Sequence, residues 1–330
     1  MAFLYKLMLF LYRSASVQSR KVIKVALELT RRVLTLLGDP SYSIDIHGKK
    51  IHLPVSHKLP IYITDFPLYD TLPTRIANFL RTRDRDLIMV DVGANIGDTI
   101  VACKSGNRYD RFLAVEANPE FIPYLRKNTE TLENVLLADV FCYSGEEKQA
   151  QVSIQSVGGT ARVTEVKHGL PIIKKTLDEI LNEHSSFQNI NFLKLDTDGN
   201  DFDILRGASK SISTSQPIIL MECDVFDNVG YVDDILAAFN YLEKAGYSTG
   251  IAYDNFGNYF CTFAVNKPKL FLDAIVYQLV SKFGYYDLLF LCKEHDEFVD
   301  DEKEFFSSYV AQKGFSSTLK KAFNIRFEQL

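Results

Sequence analysis

The sequence predicts an α/β fold: a doubly wound, mostly parallel sheet with a closing antiparallel strand, preceded by a helical and β extension. Three observations carry the prediction. From residue 87 onward, strand-like runs alternate with helix-like runs at the spacing of β-α-β units. The first strand, LIMVDV (87–92), is an apolar run of the kind buried on both faces of a parallel sheet. A glycine-bearing turn then leads straight from that strand into a helix.

The elements follow in order. Residues 2–12 (AFLYKLMLFLY) are apolar apart from Lys6. A run of that length is too short to span a bilayer, which takes roughly 20 residues, and its internal charge makes a poor secretory signal. Residues 20–37 set Ile23, Leu27, Leu34 and Leu37 on one helical stripe, widened by Val22, Ala26 and Val33, with basic residues between. That pattern suits a helix on a membrane surface or one packed on its own domain or a second subunit. Residues 41–66 hold three short strands, SYSIDIHG, IHLPV and IYITD, and residues 72–83 a helix. The strands at 87–92, 111–117, 134–139, 191–196 and 217–223 come next, with helices after Gly97, at Pro119 and over 176–181, 201–211 and 232–244. A hairpin over 151–166 turns at Gly158-Gly159, and the strands at 247–253 and 259–265 form the closing antiparallel pair. Residues 269–283 are helical and YYDLLFL is a strand. The acid-rich run 294–304 is expected to be a solvated face. The expected organisation is a basic helical arm (1–40), a β/helix lead-in (41–86), a core (87–266) and a C-terminal extension (267–330).

The totals narrow the class. Apolar residues are 47% and charged residues 24% of 330, with no repeat or low-complexity block, which excludes solenoids and disordered scaffolds. Residues 1–38 carry seven basic side chains against Glu28, a net +6, so the rest of the chain holds −11 of the total −5. A basic arm on an acidic body points to an anionic surface, membrane lipid before nucleic acid, because an acidic body repels a phosphate backbone. Residues 1–37 are therefore a candidate for peripheral membrane contact, and a homo-oligomer is open. The five cysteines are odd in number and lack metal-ligand spacing, as His47, His52 and His57 do, which suggests a reducing, cytoplasmic setting without a metal, with the inner face of the membrane as the alternative.

The chemistry concentrates at strand ends. Asp91-Val-Gly93-Ala94-Asn95-Ile-Gly97-Asp-Thr99 follows the first buried strand, where ligands bind in open α/β sheets. Gly93 lets a ligand approach the backbone, and Gly97 lets the helix start pack on the strand. The spacing departs from the G-x-G-x-x-G of dinucleotide folds, and Asp91 stands where a pyrophosphate would tolerate no carboxylate. A cationic donor such as S-adenosylmethionine suits that acid. Glu116, 23 residues past Gly93 at the end of the next strand, can accept both ribose hydroxyls of a nucleoside. Asp196 ends the fourth parallel strand and Glu222 nearly ends the fifth, so both face the same cleft. Asn200, Asp201 and Asp203 read as helix capping.

Together, DVGANIGDT, AVEANP, KTLDEIL, FLKLDTDGNDFDILRGA and PIILMEC resemble, in order and spacing, the FkbM family of methyltransferases over about residues 87–225. The resemblance implies a Rossmann-like class I methyltransferase sheet and S-adenosyl-L-methionine as cofactor. It further implies O-methylation of a sugar, glycan or related small-molecule hydroxyl. It also implies cofactor contacts for Asp91, Gly93, Ala94, Asn95, Gly97, Glu116 and Ala117, with Asp139 as the adenine-side candidate. Where the family carries acid-glycine-alanine-glutamate after the fourth strand, this chain has Asp198-Gly199-Asn200-Asp201. Asp196 is the first candidate for general base and Glu222 the second, because a neutral hydroxyl needs its proton removed as the new bond forms. The Gly158-Gly159-Thr160 tip and Tyr69-Asp70 are candidates for shaping the acceptor pocket. The rival readings are an NAD-dependent oxidoreductase, a non-catalytic interaction protein on a degenerate methyltransferase fold, and a nucleic-acid methyltransferase, the last lacking a basic-aromatic strip.

Overall fold

The structure is a computed structural model that describes residues 2–46, 48–83, 86–145, 151–157, 160–166, 173–224, 230–281 and 284–313. Helices α1 (Ala2–Ser14) and α2 (Val17–Leu36) open the chain, followed by strands β1 (Ser41–Ile46) and β2 (Lys49–Pro54). β1 and β2 pair antiparallel, and Asp45 accepts the Gly48 amide to close their turn. Tyr5, Leu9, Tyr12, Leu27 and Leu34 share one apolar cluster with this hairpin and with Ile96, Val101 and Phe121 of the main body. One face of the N-terminal arm is therefore packed on its own protein.

The IYITD segment departs from expectation. It is not a strand but helix α3 (Leu59–Asp65). Pro60 sits in its first turn, where a missing N–H costs nothing, and Thr64 donates its hydroxyl back to the Pro60 carbonyl. The Pro60 helix start and the burial of Leu59, Pro60 and Ile61 together override the alternating pattern. Helix α4 (Leu72–Arg81) follows, burying Leu72, Ile76, Ala77, Phe79 and Leu80.

The main sheet has eight strands, in the order β13-β12-β14-β11-β10-β3-β4-β5. Its parallel half is β3 (Ile88–Val92), β4 (Arg111–Val115), β5 (Val135–Ala138), β10 (Phe192–Leu195) and β11 (Ile218–Cys223). Between these run α5 (Asp98–Cys103), α6 (Ile122–Thr129), α7 (Leu177–Glu183), α8 (Asp201–Gly207) and α9 (Ser209–Ser215). α6 begins later than Pro119, with Pro123 in its first turn, because Asn118 accepts the Glu120 amide and holds a turn there. The expected single helix at 201–211 is split: a Cβ on Gly207 would lie 2.2 Å from the Tyr143 carbonyl oxygen, so the chain bends at this close approach. Two short pairs stand outside the sheet, β6 (Phe141–Cys142) with β9 (Lys174–Lys175), and β7 (Gln151–Val157) with β8 (Thr160–Val166). The last is the expected hairpin; Gly158 and Gly159 lie outside the described residues.

The remaining elements are α10 (Tyr231–Lys244), β12 (Tyr247–Asp254), β13 (Tyr259–Ala264), α11 (Lys269–Ser281), β14 (Tyr286–Cys292) and α12 (Glu297–Gln312). β14 inserts between β11 and β12, antiparallel to both. A core boundary at residue 266 therefore cuts the sheet; the segment assigned to an extension supplies one of its central strands. The acidic run is not wholly solvated either. Glu302 on α12 is buried, takes Arg75 of α4 through both carboxylate oxygens at 2.7 and 3.0 Å, and accepts the Tyr253 hydroxyl.

Each strand divides its side chains between two cores. Leu193, Leu195, Ile219 and Met221 enter one, Phe192, Ile218 and Leu220 the other. The period of two puts Lys194, Asp196 and Glu222 on the Leu220 side, where the site forms.

Candidate active site

The glycine loop leaves β3 under strong backbone constraint. Gly93, Asn95 and Gly97 all have positive φ, at 83°, 51° and 81°. The Gly93 and Ala94 amides both donate to the Val115 carbonyl, so the loop is tied to the end of β4. A Cβ at Gly93 would lie 1.8 Å from the Asp196 carbonyl oxygen, and one at Gly97 would lie 2.7 Å from Leu125 Cδ1. Both glycines therefore serve packing within the protein, against β10 and α6, rather than bare approach of a ligand or of β3. Asn95 tolerates its left-handed conformation with help from outside the loop: His57 Nε2 lies 3.3 Å from Asn95 Oδ1. Burial pushes the His57 pKa down to about 4, so this imidazole is neutral.

An open cleft lies along this loop. Its walls bring together Gly93, Asn95, Glu116, Ala117, Asp196 and Asp198, with Phe121, Val140, Phe141 and Ile204 as apolar surface. Glu116 accepts the Asn95 and Asn118 amides, each at 2.7 Å. Burial raises its pKa, while these backbone donors oppose the rise. A carboxylate has about four acceptor sites, so capacity remains for a ligand hydroxyl. Thr197, on the same wall, buries a hydroxyl oxygen with no hydrogen-bond partner among the described residues.

Four expected contacts are not on this wall. Ala94 is buried and Gly97 is committed to α6. Asp139 points to solvent, 3.6 Å from Arg126, while its neighbours Val140 to Cys142 line the cleft. Asp91 is also set back from it, fully buried behind the loop, and its carboxylate oxygens have no hydrogen-bond partner within normal geometry among the described residues. It faces Lys194 instead, its register partner on β10, whose ammonium is 3.4 Å from Asp91 Oδ1 and 2.8 Å from Asp196 Oδ2. Burial raises the Asp91 pKa to about 6; Lys194 pulls it down and Asp196 pushes it further up.

Asp196 also lines a second pocket, with Tyr69, Asp70, Lys194, Glu222, Tyr285 and Asp287. Glu222 and Asp287 are register partners on β11 and β14, so two carboxyls stand side by side in a buried place. Burial raises both pKa values well above the carboxylate range, and the Asp196 charge adds to it. Glu222 Oε2 has no hydrogen-bond partner among the described residues. Asp70 is raised in the same way, by burial first and Asp98 second. The capping residues behave less simply than expected. Asn200 holds the N-cap position of α8 without a side-chain cap bond, donating instead to the Thr197 carbonyl. Asp201 ties the 197–199 turn through the Thr197 and Gly199 amides, and Asp203 accepts the Ser144 amide.

Residues 91–249 match the methyltransferase FkbM domain. This segment is thus identified as an FkbM methyltransferase domain. It runs from the glycine loop through Glu116, Asp196 and Glu222 into β12. S-adenosyl-L-methionine is the cofactor that goes with this domain. Among solved structures, the chain is similar to methyltransferase FkbM from Methylobacillus flagellatus KT, at 15% identity and a TM-score of 0.38, over 62% of this chain and 43% of that one. It is similar to a SAM-dependent methyltransferase from Agrobacterium tumefaciens at 8% identity and a TM-score of 0.39, over 76% and 70%. A putative O-methyltransferase from Klebsiella pneumoniae gives 10% identity and a TM-score of 0.37, over 67% and 80%. The chain thus spans less than half of the FkbM structure it matches. No curated protein sequence matches it. The domain match, not these remote likenesses, carries the family.

The residues of the first cleft fit an S-adenosyl-L-methionine cofactor. Glu116 has acceptor capacity for a ribose, the Phe121–Phe141 side is flat and apolar enough for an adenine, and Asp196 and Asp198 offer negative charge to a cation. Lys194, Asp287, Tyr285, Thr197 and His57 belong to the site and were not assigned to it from sequence. Lys194 and Asp287 carried a readable signal: a single charged residue inside an otherwise apolar strand is seldom placed there without a partner. His57 and Thr197 carried none, because their roles depend on distant segments meeting.

Proposed function

We propose that the chain methylates a hydroxyl of a sugar, glycan or related polyhydroxylated small molecule. The observation that carries this reading is the position of Asp196 on the shared wall of two pockets, one fitted to the cofactor and one lined by carboxyls and phenols. When bound, S-adenosyl-L-methionine supplies an electrophilic methyl group on a positively charged sulfur. Glu116 accepts the ribose hydroxyls, and the apolar side of the cleft orders the adenine. In the second pocket, a polyol meets groups of both kinds. Asp196 accepts hydrogen bonds, whereas Glu222 and Asp287, held toward their protonated forms, can donate them.

Asp196 is the base in this reading. Lys194 holds its Oδ2 at 2.8 Å, so the carboxylate is fixed in orientation and proton transfer falls to Oδ1. Glu222 is the weaker candidate, because it lines only the second pocket and its buried carboxyl favours the proton it already carries. Its role is to position the acceptor. Much of the rate would then come from alignment of the acceptor oxygen with the methyl group.

The test is release of S-adenosylhomocysteine by the purified chain against free sugars, sugar nucleotides and matched amines. A hydroxyl acceptor is expected to turn over, and Asp196→Asn should lower turnover by about 10²–10⁴-fold, a loss much larger than the accompanying loss of donor affinity. Turnover confined to amines would overturn the oxygen assignment. Failure to bind the donor in calorimetry would overturn the whole reading.

A further inference from the structure

The N-terminal helices bury one stripe and expose another. On α2, Val22, Val25, Leu29, Val33 and Leu36 are all exposed, Leu36 at 86% and Val22 at 74%. At 100° per residue they fall within an arc of about 80°, opposite the buried Leu27 and Leu34. On α1, Phe3, Leu7 and Phe10 make the same kind of outward stripe, widened by Leu4 and Leu11. α1 and α2 pack against each other. Exposed large apolar residues grouped in this way are a signature of an interaction face, not of a random surface.

The charges beside the stripes identify the occupant. Lys6 borders the α1 stripe, and Lys21 and Arg32 border that of α2; all three are exposed. Lys24 is turned away and committed to Asp65 at 2.6 Å. The rest of the chain is strongly acidic, so an anionic surface would repel the body and admit only this face. A second copy laid on the same face by two-fold symmetry would bring the basic borders against their own equivalents. No helix among the described residues is long and apolar enough to cross a membrane, so the fit is to an interface, not a span.

We infer that α1 and α2 dock the protein on an anionic phospholipid bilayer, with Phe3, Phe10, Val25 and Leu29 entering the headgroup boundary and Lys6, Lys21 and Arg32 meeting lipid phosphate. This face is independent of the methyl-transfer site and of its acceptor.

The experiment is sedimentation of the full chain with vesicles of phosphatidylcholine alone and of phosphatidylcholine mixed with phosphatidylglycerol. Binding is expected only to the mixed vesicles and should fall steeply with added salt. Phe10→Ser with Leu29→Ser should abolish it, and Lys21→Glu with Arg32→Glu should weaken it about tenfold or more. All four positions are exposed, and retained melting temperature and donor binding verify that the variants are folded. Absence of binding to either vesicle overturns the inference. So does a dimer in light scattering that Phe10→Ser with Leu29→Ser converts to monomer, since the face would then belong to a second copy.

Discussion

Gly93 and Glu116 are the residues on which the donor cleft turns. Gly93 combines φ of 83° with a Cβ position 1.8 Å from the Asp196 carbonyl oxygen, and a backbone carbonyl at the end of β10, held by the Asp196 amide's bond to Val92, cannot swing aside as a side chain could. Gly93→Ala should destabilise the fold by about 1–3 kcal/mol or more, read as a lowered melting temperature. A melting temperature unchanged from the wild type would mean that the loop and β10 sit further apart. Glu116→Gln keeps the shape but removes the charge and half of the acceptor capacity. Hydrogen bonds to a charged group contribute about 1.5–3 kcal/mol, so donor affinity should fall about tenfold to a hundredfold in calorimetry. Equal affinity would displace Glu116 from the ribose role. Both positions on the cleft wall were legible in the sequence, because a glycine loop and the acid ending the next strand are local features with fixed spacing. Asp139 stands off that wall for the converse reason. Which residue of a short segment faces a cleft depends on where the chain turns, and here Val140, Phe141 and Cys142 face in while Asp139 pairs outward with Arg126.

At the scale of elements, periodicity identified nearly every strand and helix, and what it left out was their neighbours. The YYDLLFL segment was recognisable as a strand, but nothing local states that it would slip between β11 and β12 after two helices and a hairpin had intervened. Without it, β11 and β12 each lose a full ladder, and apolar strand edges lie open. A chain ending at residue 266 is therefore expected to lack cooperative unfolding and to fail to bind donor, as followed by circular dichroism melts. A folded, donor-binding fragment would show that β14 is dispensable. The same return of the chain fixes the Arg75–Glu302 pair between α4 and α12, with Tyr253 as a third partner. Removing one member of a buried pair strands the other, so Glu302→Ala should cost about 3–5 kcal/mol and expose α12 to protease. The acid-rich composition of 294–304 concealed this, since composition does not say which of seven acids turns inward.

Across the whole molecule, the site gathers acids faster than it gathers cations. Asp70, Asp91, Asp98, Asp201, Glu222 and Asp287 all have raised pKa values, burial being the first cause of each, and Lys194 is the one buried lysine among them. A carboxyl whose pKa is higher in the folded state makes that state bind more protons than the unfolded chain. Its contribution to stability is therefore full below the ordinary carboxyl pKa and is lost as pH rises through the folded value. For Asp91 that window runs from 3.8 to about 6, and for Asp201 from 3.8 to about 7. His57 acts in the opposite sense, since a pKa lowered from 6.5 to about 4 makes the fold lose stability as pH falls through that range. His52 is lowered too, by burial first, and two histidines are outweighed by six acids. The melting temperature should thus fall by at least about 3 °C from about pH 5 to about pH 7.5. Asp91→Asn should flatten the lower part of that slope, and a rising profile in the wild type would contradict the buried-acid account. A cationic donor beside Asp196 offsets the same repulsion, so its binding should release protons and tighten as pH rises through this window. Calorimetry in buffers of different ionisation enthalpy measures that release directly. A proton count of zero would separate the acid cluster from the donor and leave it to the acceptor alone.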